Sequence, residues 1–278
     1  MSNIDRGVVK AFGEEWNKFH HSGLDNPDLQ ALFRSYFSIF PWHELPPDAE
    51  GFDLGCGTGR WAHFVAQQVG FLHCIDASAS ALDVARQNLR LHSNCTFHCA
   101  SVEAIPLADG SVDFGYALGV LHHLPDTQQG IIQCVRKLKP GAPFLIYLYY
   151  AFDNRPLWFR AIWRISDLLR RCISALPFVI RSFLCDVIAS LVYWPVARLS
   201  KCLERLGANV NAFPLSAYRK RSFYSMRTDA LDRFGTRLEK RFTRKQIGEM
   251  MKSADLERIV FSDSPCWCAV GYRKNPLL

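Results

Sequence analysis

Short apolar runs alternate with helical patterns through residues 49–150. The apolar runs have the length of buried strands and cover residues 52–54, 71–75, 112–118 and 144–149. Helices are predicted between them at residues 60–69, 79–92 and 126–139. In the second of these helices, Ala81, Leu82, Ala85 and Leu89 share one face. Strands that alternate with helices predict a mostly parallel sheet with helices on both faces.

Both ends of the chain also carry regular patterns. Phe12, Trp16 and Phe19 recur at helical spacing, and a second helix is predicted from about Pro27 to Phe40. Near the other end, one helix and two strands are predicted at residues 243–254, 256–261 and 267–272. The chain therefore divides into four predicted parts: an N-terminal helical cap (1–48), a core (49–150), a helical insertion (151–240) and a closing segment (241–278).

The insertion interrupts the strand–helix alternation with two long helices. The first, residues 157–173, has an apolar stripe formed by Trp158, Ile162, Ile165, Leu169 and Cys172. Its opposite face is largely basic and carries Arg160, Arg164, Asp167 and Arg171. The second, residues 178–205, is apolar over most of its surface, so we expect it to be well buried. Arg181, Asp186 and two prolines within Leu176–Leu199 argue against a membrane span.

A glycine-rich loop follows the first strand. It reads Asp53-Leu54-Gly55-Cys56-Gly57-Thr58-Gly59, and Asp76 ends the second strand. Glycines at alternate positions allow a sharp turn and a close approach of the backbone to a ligand. A carboxylate at the tip of the second strand is placed to accept hydrogen bonds from ribose hydroxyls. Arg60 stands where a dinucleotide fingerprint needs its third glycine, and the Gly-Lys-Ser/Thr of a phosphate-binding loop is absent from the sequence here.

Three further motifs accompany this loop. Ile105-Pro106-Leu107 follows the third strand position, Gly119–Leu124 reads Gly-Val-Leu-His-His-Leu, and Leu138–Ala142 reads Leu-Lys-Pro-Gly-Ala. In this order and spacing, over about residues 50–150, the chain resembles the class I S-adenosylmethionine-dependent methyltransferases. It is most similar to their small-molecule, type 11-like branch. The resemblance implies a Rossmann-like sheet of seven mostly parallel strands, extended by the cap and by the insertion after strand 5.

The resemblance also implies a cofactor site. It assigns S-adenosylmethionine as cofactor, S-adenosylhomocysteine as product, and no metal. Asp76 would hold the ribose, and Ser101 and Val102 the adenine. The remaining cofactor-binding positions that it implies are Asp53, Gly55, Cys56, Gly57, Ala77 and Leu118. The family usually has Asp where Ser101 stands, and a serine hydroxyl accepts a hydrogen bond without carrying charge.

Candidate catalytic and acceptor-binding residues lie beyond the strand ends. His122 and His123 follow the fourth strand, where one could act as a general base; alternatively, they cap or pack the following loop. Tyr149, Tyr150 and Arg155 follow the fifth strand and could contact the acceptor. Arg219, Tyr224 and Arg227 belong to Arg- and Tyr-rich loops of the insertion that could bind an anion. The alternative for these arginines is pairing with acids such as Asp229, Asp232 and Glu239.

Charge and cysteine usage indicate where the basic residues concentrate and which cellular environment we expect. Residues 1–150 carry a net charge of −5, residues 151–250 carry +11, and residues 251–278 carry +1. The ten cysteines are scattered, and Met1–Lys10 lacks an apolar leader region, so we expect a reduced, cytoplasmic protein. Cys266-x-Cys268 has neither a second pair nor a histidine at zinc spacing, which argues against a metal site.

The leading hypothesis is methyl transfer to a small or medium-sized, anionic or amphiphilic organic acceptor. The sequence lacks the Asn/Asp-Pro-Pro-Tyr/Phe segment of base amino-methyltransferases, which argues against a nucleic-acid partner. One alternative is a peripheral membrane enzyme for a lipid-linked acceptor, because helix 157–173 is both aromatic and basic. Its competitor is a lid packed on the core with its arginines in water. Another alternative is a cofactor-binding module without activity. The acceptor and the oligomeric state stay open.

Overall fold

The chain folds into two compact units. The computed structural model describes residues 3–19, 27–152, 155–210, 213–263 and 267–275. Unit 1 comprises Met1–Ala151 and Leu238–Leu278, and unit 2 comprises Phe152–Arg237. Unit 2 falls within the insertion that the sequence predicts at 151–240.

Unit 1 is built on a seven-stranded sheet. Its strands are β1 (Glu50–Leu54), β2 (Phe71–Asp76), β3 (Cys95–Cys99), β4 (Phe114–Leu118), β5 (Pro143–Tyr147), β6 (Leu256–Phe261) and β7 (Cys268–Arg273). They are ordered β3-β2-β1-β4-β5-β7-β6, and β7 runs antiparallel to both of its neighbours. The order reverses between β1 and β4, where open α/β sheets bind ligands at the carboxyl ends of their strands. The predicted fold class is confirmed.

The strands are apolar because their side chains form part of two hydrophobic cores. Neighbouring residues of β4 point to opposite faces of the sheet. Phe114 and Tyr116 belong to one core, and Ala117 belongs to the other. All three side chains are fully buried. Burial on both faces explains why this strand reads as a continuous apolar run.

Helices cover the sheet in unit 1. They are α1 (Arg6–Lys18), α2 (Pro27–Tyr36), α3 (Ala62–Val65), α4 (Ala79–Asn88), α5 (Thr127–Lys137) and α10 (Arg244–Ser253). Side chains cap several N-termini: Asp126 accepts from the Gln129 amide on α5, and Thr243 forms a capping box with Gln246 on α10. The helical N-terminus predicted for the cap is present as α1 and α2.

α3 is much shorter than the helix predicted at residues 60–69. The glycine loop occupies the chain as far as Trp61, and Phe71 already pairs with Glu50 at the start of β2. The α-helix between them is four residues long, and turns fill the rest of the segment. A helix this short adds little dipole to the site, so the loop's own amides carry any ligand contact there.

Unit 2 is helical. Its main elements are α6 (Leu157–Ser174), α7 (Phe178–Ile188), a π-helical turn (Ala189–Tyr193), α8 (Trp194–Arg205) and α9 (Phe223–Gly235). α9 packs against α6, α7 and the π-helical turn. Its Met226, Ala230 and Leu231 are buried, so α9 forms the centre of the unit.

The prediction that residues 178–205 are well buried is wrong. The helical run Phe178–Arg205 is long and apolar enough to cross a membrane by length and composition, yet only 28% of its most apolar window is buried. The small or polar residues Ser182, Cys185 and Ala189 face inward. Because these side chains are small, α9 can pack closely against this side of the run. The long apolar side chains lie on the exposed side.

Candidate functional site

The glycine loop after β1 adopts a backbone that other residues rarely reach. Gly55, Gly57 and Gly59 all have positive φ, at 73°, 54° and 77°. A Cβ on Gly55 would overlap the side chain of Val120, which follows β4. The Gly55 and Cys56 amides donate to the Ile75 carbonyl at 2.7 and 3.1 Å. The loop is therefore bare, tightly turned and held against the end of β2.

Asp76 fastens the loop from the tip of β2. Its Oδ2 accepts from the Gly57 amide at 2.9 Å, and its Oδ1 accepts from the Ser78 amide at 2.8 Å. Burial raises the pKa of Asp76, and these amide hydrogen bonds oppose that rise. Each carboxylate oxygen has a second lone pair, so both can also accept from a vicinal diol.

The residues predicted to hold the adenine lie beside Asp76. The Ala100 amide donates to the Asp76 carbonyl at 2.9 Å, which places the turn after β3 next to the tip of β2. Ser101 precedes a short 3-10 helix without capping it through its side chain. Val102 is buried in a hydrophobic core, so its backbone is the part left to contact a ligand.

Asp53 is buried at the carboxyl end of β1, only 1% exposed. Tyr116 of the adjacent strand β4 lies in register with Asp53. Burial raises the pKa of Asp53 to about 8, and the Tyr116 hydroxyl opposes part of that rise. A buried carboxyl of this kind would ionise fully beside a cationic group.

Helix α1 covers the loop. A Cβ on Gly57 would lie 3.2 Å from the indole nitrogen of Trp16. The Phe12 ring stacks on Trp16 and meets His123 edge-on at 5.0 Å between centroids. An open cavity of about 530 Å³ lies between α1 and residues 77–80, which directly follow Asp76. Ala77 lines it.

The two candidate catalytic histidines have different surroundings. His122 is fully buried and stacks on Tyr149 at 3.8 Å between centroids. Burial lowers the pKa of His122 well below its usual range, and His123 and Arg241 lower it further. Neither ring nitrogen of His122 has a hydrogen-bond partner among the described residues. The Nδ1 of His123 lies 2.6 Å from the Leu238 carbonyl oxygen. Since that oxygen can only accept, Nδ1 carries the proton and Nε2 has the lone pair when the ring is neutral.

Tyr149 contacts both histidines and also an arginine that belongs to an ion pair. Arg241 stacks over the Tyr149 ring at 5.0 Å, and its guanidinium binds Glu239 at 2.8 Å. The Glu239 side chain is 1% exposed. Sequence analysis did not name Arg241, and it considered Glu239 only as a partner for the insertion's arginines, because no local signal places either residue at this edge. Tyr116 was missed for a similar reason, since the strand register that sets it beside Asp53 cannot be read from either strand alone.

The predicted site residues fall into two groups. In unit 1, contacts through the loop, α1 and the histidines connect Asp76 to Tyr149, and Leu118 ends β4 at the same edge. Tyr150 is buried, and its ring packs near Trp267.

The other four predicted residues belong to unit 2. The Arg155 guanidinium lies over the Phe159 ring, and the Tyr224 side chain is partly exposed. Arg219 pairs with Glu204 at 2.8 Å, and Arg227 forms a two-pronged pair with Asp186 at 2.9 Å. These partners are not the acids considered in the sequence, and they engage both guanidinium groups. An anion-binding role for this group stays a prediction.

The donors needed for a metal are not assembled in the part of the chain that the structure describes. No group of three or more His, Cys, Asp or Glu side chains there could hold a metal ion. Cys266, one half of the Cys-x-Cys pair, lies outside the described residues.

Comparison with known proteins finds relatives of the part of unit 1 that carries this site. Residues 52–146 match the model of a family described as a methyltransferase domain. The chain is 33% identical over 98 residues to methyltransferase GfsG of Streptomyces halstedii, covering 34% of this chain and 35% of that protein. It is 28% identical over 161 residues to a ubiquinone biosynthesis O-methyltransferase of Coxiella burnetii, covering 55% of this chain and 64% of that protein. The matches thus span less than two thirds of either relative.

A solved structure shares the fold over nearly the whole chain. A SAM-dependent methyltransferase from Aquifex aeolicus superposes with a TM-score of 0.51 at 14% sequence identity, covering 97% of each chain. At that identity the likeness concerns the fold alone.

Proposed function

We propose that this chain, whose residues 52–146 match a family described as a methyltransferase domain, is a class I S-adenosylmethionine-dependent methyltransferase that transfers a methyl group to a small or medium-sized, anionic or amphiphilic organic acceptor. The observation that carries the proposal is the bare glycine loop tied to Asp76 at the point where the strand order reverses. The names of the relatives support methyl transfer, and one of them indicates an oxygen acceptor.

The residues at this edge fit S-adenosylmethionine. Side chains at the glycine positions would fill the space that the loop leaves open, because Gly55 and Gly57 face Val120 and Trp16. Asp76 would accept from the two ribose hydroxyls with its remaining lone pairs. The backbone at Ser101 and Val102 would bind the adenine. Asp53 would stabilise the cofactor's ammonium group, directly or through water, and ionise as a result.

When bound, S-adenosylmethionine supplies a methyl group on a positively charged sulfur, which is already activated for transfer. The chain's own task is then to hold the acceptor in line and to exclude water. Helix α1 covers the loop through Trp16, and Phe12 continues this cover to His123. These aromatic side chains would help to exclude water on that side.

His123 is the better placed of the two histidines to receive a proton. The Leu238 carbonyl fixes its tautomer and ring orientation, which leaves Nε2 as the basic atom. His122 is held neutral by burial and stacked on Tyr149, so it shapes the wall of the site. A base of this kind matters for a hydroxyl acceptor, whose proton has a high pKa.

The test is transfer of a radiolabelled methyl group from S-adenosylmethionine into a metabolite extract, followed by identification of the labelled compound. We expect a labelled small molecule with the native chain and none with Gly55→Val, whose side chain would overlap Val120. Cofactor binding measured by calorimetry, with no labelled product from any extract fraction, would refute transfer and leave a binding module. Binding of a nicotinamide dinucleotide in place of S-adenosylmethionine would refute the cofactor assignment itself.

A further inference from the structure

We propose that unit 2 binds the surface of an anionic lipid bilayer through the outward apolar side chains of α6, α7, the π-helical turn and α8. The proposal concerns binding alone, so it stands or falls independently of methyl transfer. The surface is defined here as the outer apolar face: Ile162, Ile165, Leu168, Leu169, Val179, Ile180, Phe183, Leu191, Val192 and Leu199.

The exposure of these residues is the first observation. On α6, Ile165 is 66% exposed and Leu168 is 65% exposed. On the next helical run, Val179 is 78%, Phe183 66% and Leu191 72% exposed. Both α6 and α7 pack on α9, so their exposed faces lie on the side away from it. Large apolar side chains that stay this exposed along two packed helices mark an interaction surface.

Several charged side chains of the same helices are turned toward neighbouring elements. Asp167 and Arg170 of α6 are buried and paired at 2.8 Å, and Arg170 also donates to the Thr236 carbonyl. Asp186 of α7 takes the two-pronged ion pair from Arg227 of α9. Ion pairs and hydrogen bonds therefore link these helices to their neighbours, in addition to the buried apolar side chains of α9. A helix in water normally faces the other way, with its apolar stripe inside.

The helical run Phe178–Arg205 lies along the bilayer surface and does not cross it. It is the single helix in the described ranges that is long and apolar enough to span. β5 precedes unit 2 and β7 follows it, and these strands pair in one sheet. One crossing would separate them on opposite sides of the membrane. α6 cannot supply a return crossing, because charged residues recur along its length.

Charge indicates which surface is bound. Unit 2 contains 15 Lys or Arg and six Asp or Glu, a net charge of +9. Arg164 and Arg171 are exposed on α6, beside the apolar stripe. Trp158 and Trp194 are half exposed, and tryptophan favours the boundary between lipid tails and water. Apolar side chains flanked by arginine and tryptophan fit an anionic lipid surface.

Vesicle flotation tests the proposal with the full chain. We expect the native protein to float with phosphatidylglycerol–phosphatidylcholine vesicles and to bind pure phosphatidylcholine at least tenfold more weakly. The variant Ile165→Ser/Leu168→Ser/Phe183→Ser/Leu191→Ser should bind anionic vesicles at least tenfold more weakly. Its thermal unfolding should change little, because the four side chains are exposed. Leu91→Ser is the matched control, since Leu91 is an exposed apolar residue of unit 1 at 85%.

Charge is tested separately with Arg164→Glu/Arg171→Glu, which should abolish the preference for anionic vesicles. Equal flotation of the native chain and the quadruple serine variant would overturn the proposal. So would a native chain that forms discrete oligomers without lipid and becomes monomeric in that variant, because the face would then be a protein interface. Calorimetry of S-adenosylmethionine binding, which the serine substitutions should leave unchanged, separates this result from any failure of the proposed activity.

Discussion

Replacing Asp76 by alanine separates two roles that its carboxylate combines. The carboxylate accepts from the Gly57 and Ser78 amides in the protein alone, and we propose that it also accepts from the cofactor ribose. Because Asp76 is partly exposed, water can replace its carboxylate as the acceptor, and we expect about 1 kcal/mol per amide bond, or about 2 kcal/mol of unfolding free energy. Loss of the ribose contacts should cost a further roughly 1–3 kcal/mol of cofactor binding, about 5- to 150-fold in affinity.

Two measurements on one variant distinguish these roles. Urea unfolding reports the loop contacts, and calorimetry with S-adenosylhomocysteine reports the ribose contacts. Asp83→Ala is the control, since Asp83 lies nearby on α4 in an exposed pair with Arg86 and should change neither quantity by more than about 0.5 kcal/mol. A variant at Asp76 that loses stability but binds the cofactor as tightly as the native chain would refute the ribose assignment.

Three further predictions concern the same edge of the sheet. The pKa of Asp53 in the folded state, about 8, exceeds its value in the unfolded state, so the folded state holds the proton and the free energy of unfolding should fall by roughly 3 kcal/mol from pH 5 to pH 8. Asp53→Asn should remove most of this pH dependence when stability is measured by urea unfolding. An unchanged pH dependence would contradict the burial argument. Gly55→Ala should lower stability by roughly 1–3 kcal/mol, because Gly55 has a positive φ and a Cβ there would overlap Val120. Gly248→Ala in α10 is the control and should not lower stability, because a Cβ there would make only an ordinary contact with Phe261. Thermal unfolding measures both variants. His123→Gln should lower kcat by roughly 10²- to 10⁴-fold with cofactor affinity retained, and an unchanged kcat in the identified reaction would exclude it as a base.

The candidate site at the edge of the sheet could be read largely from local spacing. Alternate glycines, an acid one strand later and an apolar run on either side dictate a turn, a parallel pair and a carboxylate at its tip. The structure has these features, with Gly57 bound to Asp76. The length of α3 could not be read in this way, because it depends on how far the chain must travel to bring Phe71 opposite Glu50.

The insertion shows where pattern alone misleads. The periodicity of residues 178–205 correctly indicates helix, but its apolar surface does not indicate burial. The inward face is decided by partners distant in sequence, such as Arg227 for Asp186. A periodic stripe identifies two faces of a helix without identifying which one meets water, protein or lipid.

By itself, then, the order of residues indicated the glycine turn, most strands and helices and the likeness to a methyltransferase domain, since these depend on neighbours within a few positions. The tertiary structure alone decided that Tyr116 lies beside Asp53, that Arg241 reaches Tyr149 and pairs with Glu239, and that α6 and α7 leave long apolar side chains exposed. The reason is physical: strand register, ion-pair partners and burial depend on segments that folding brings together from far apart along the chain.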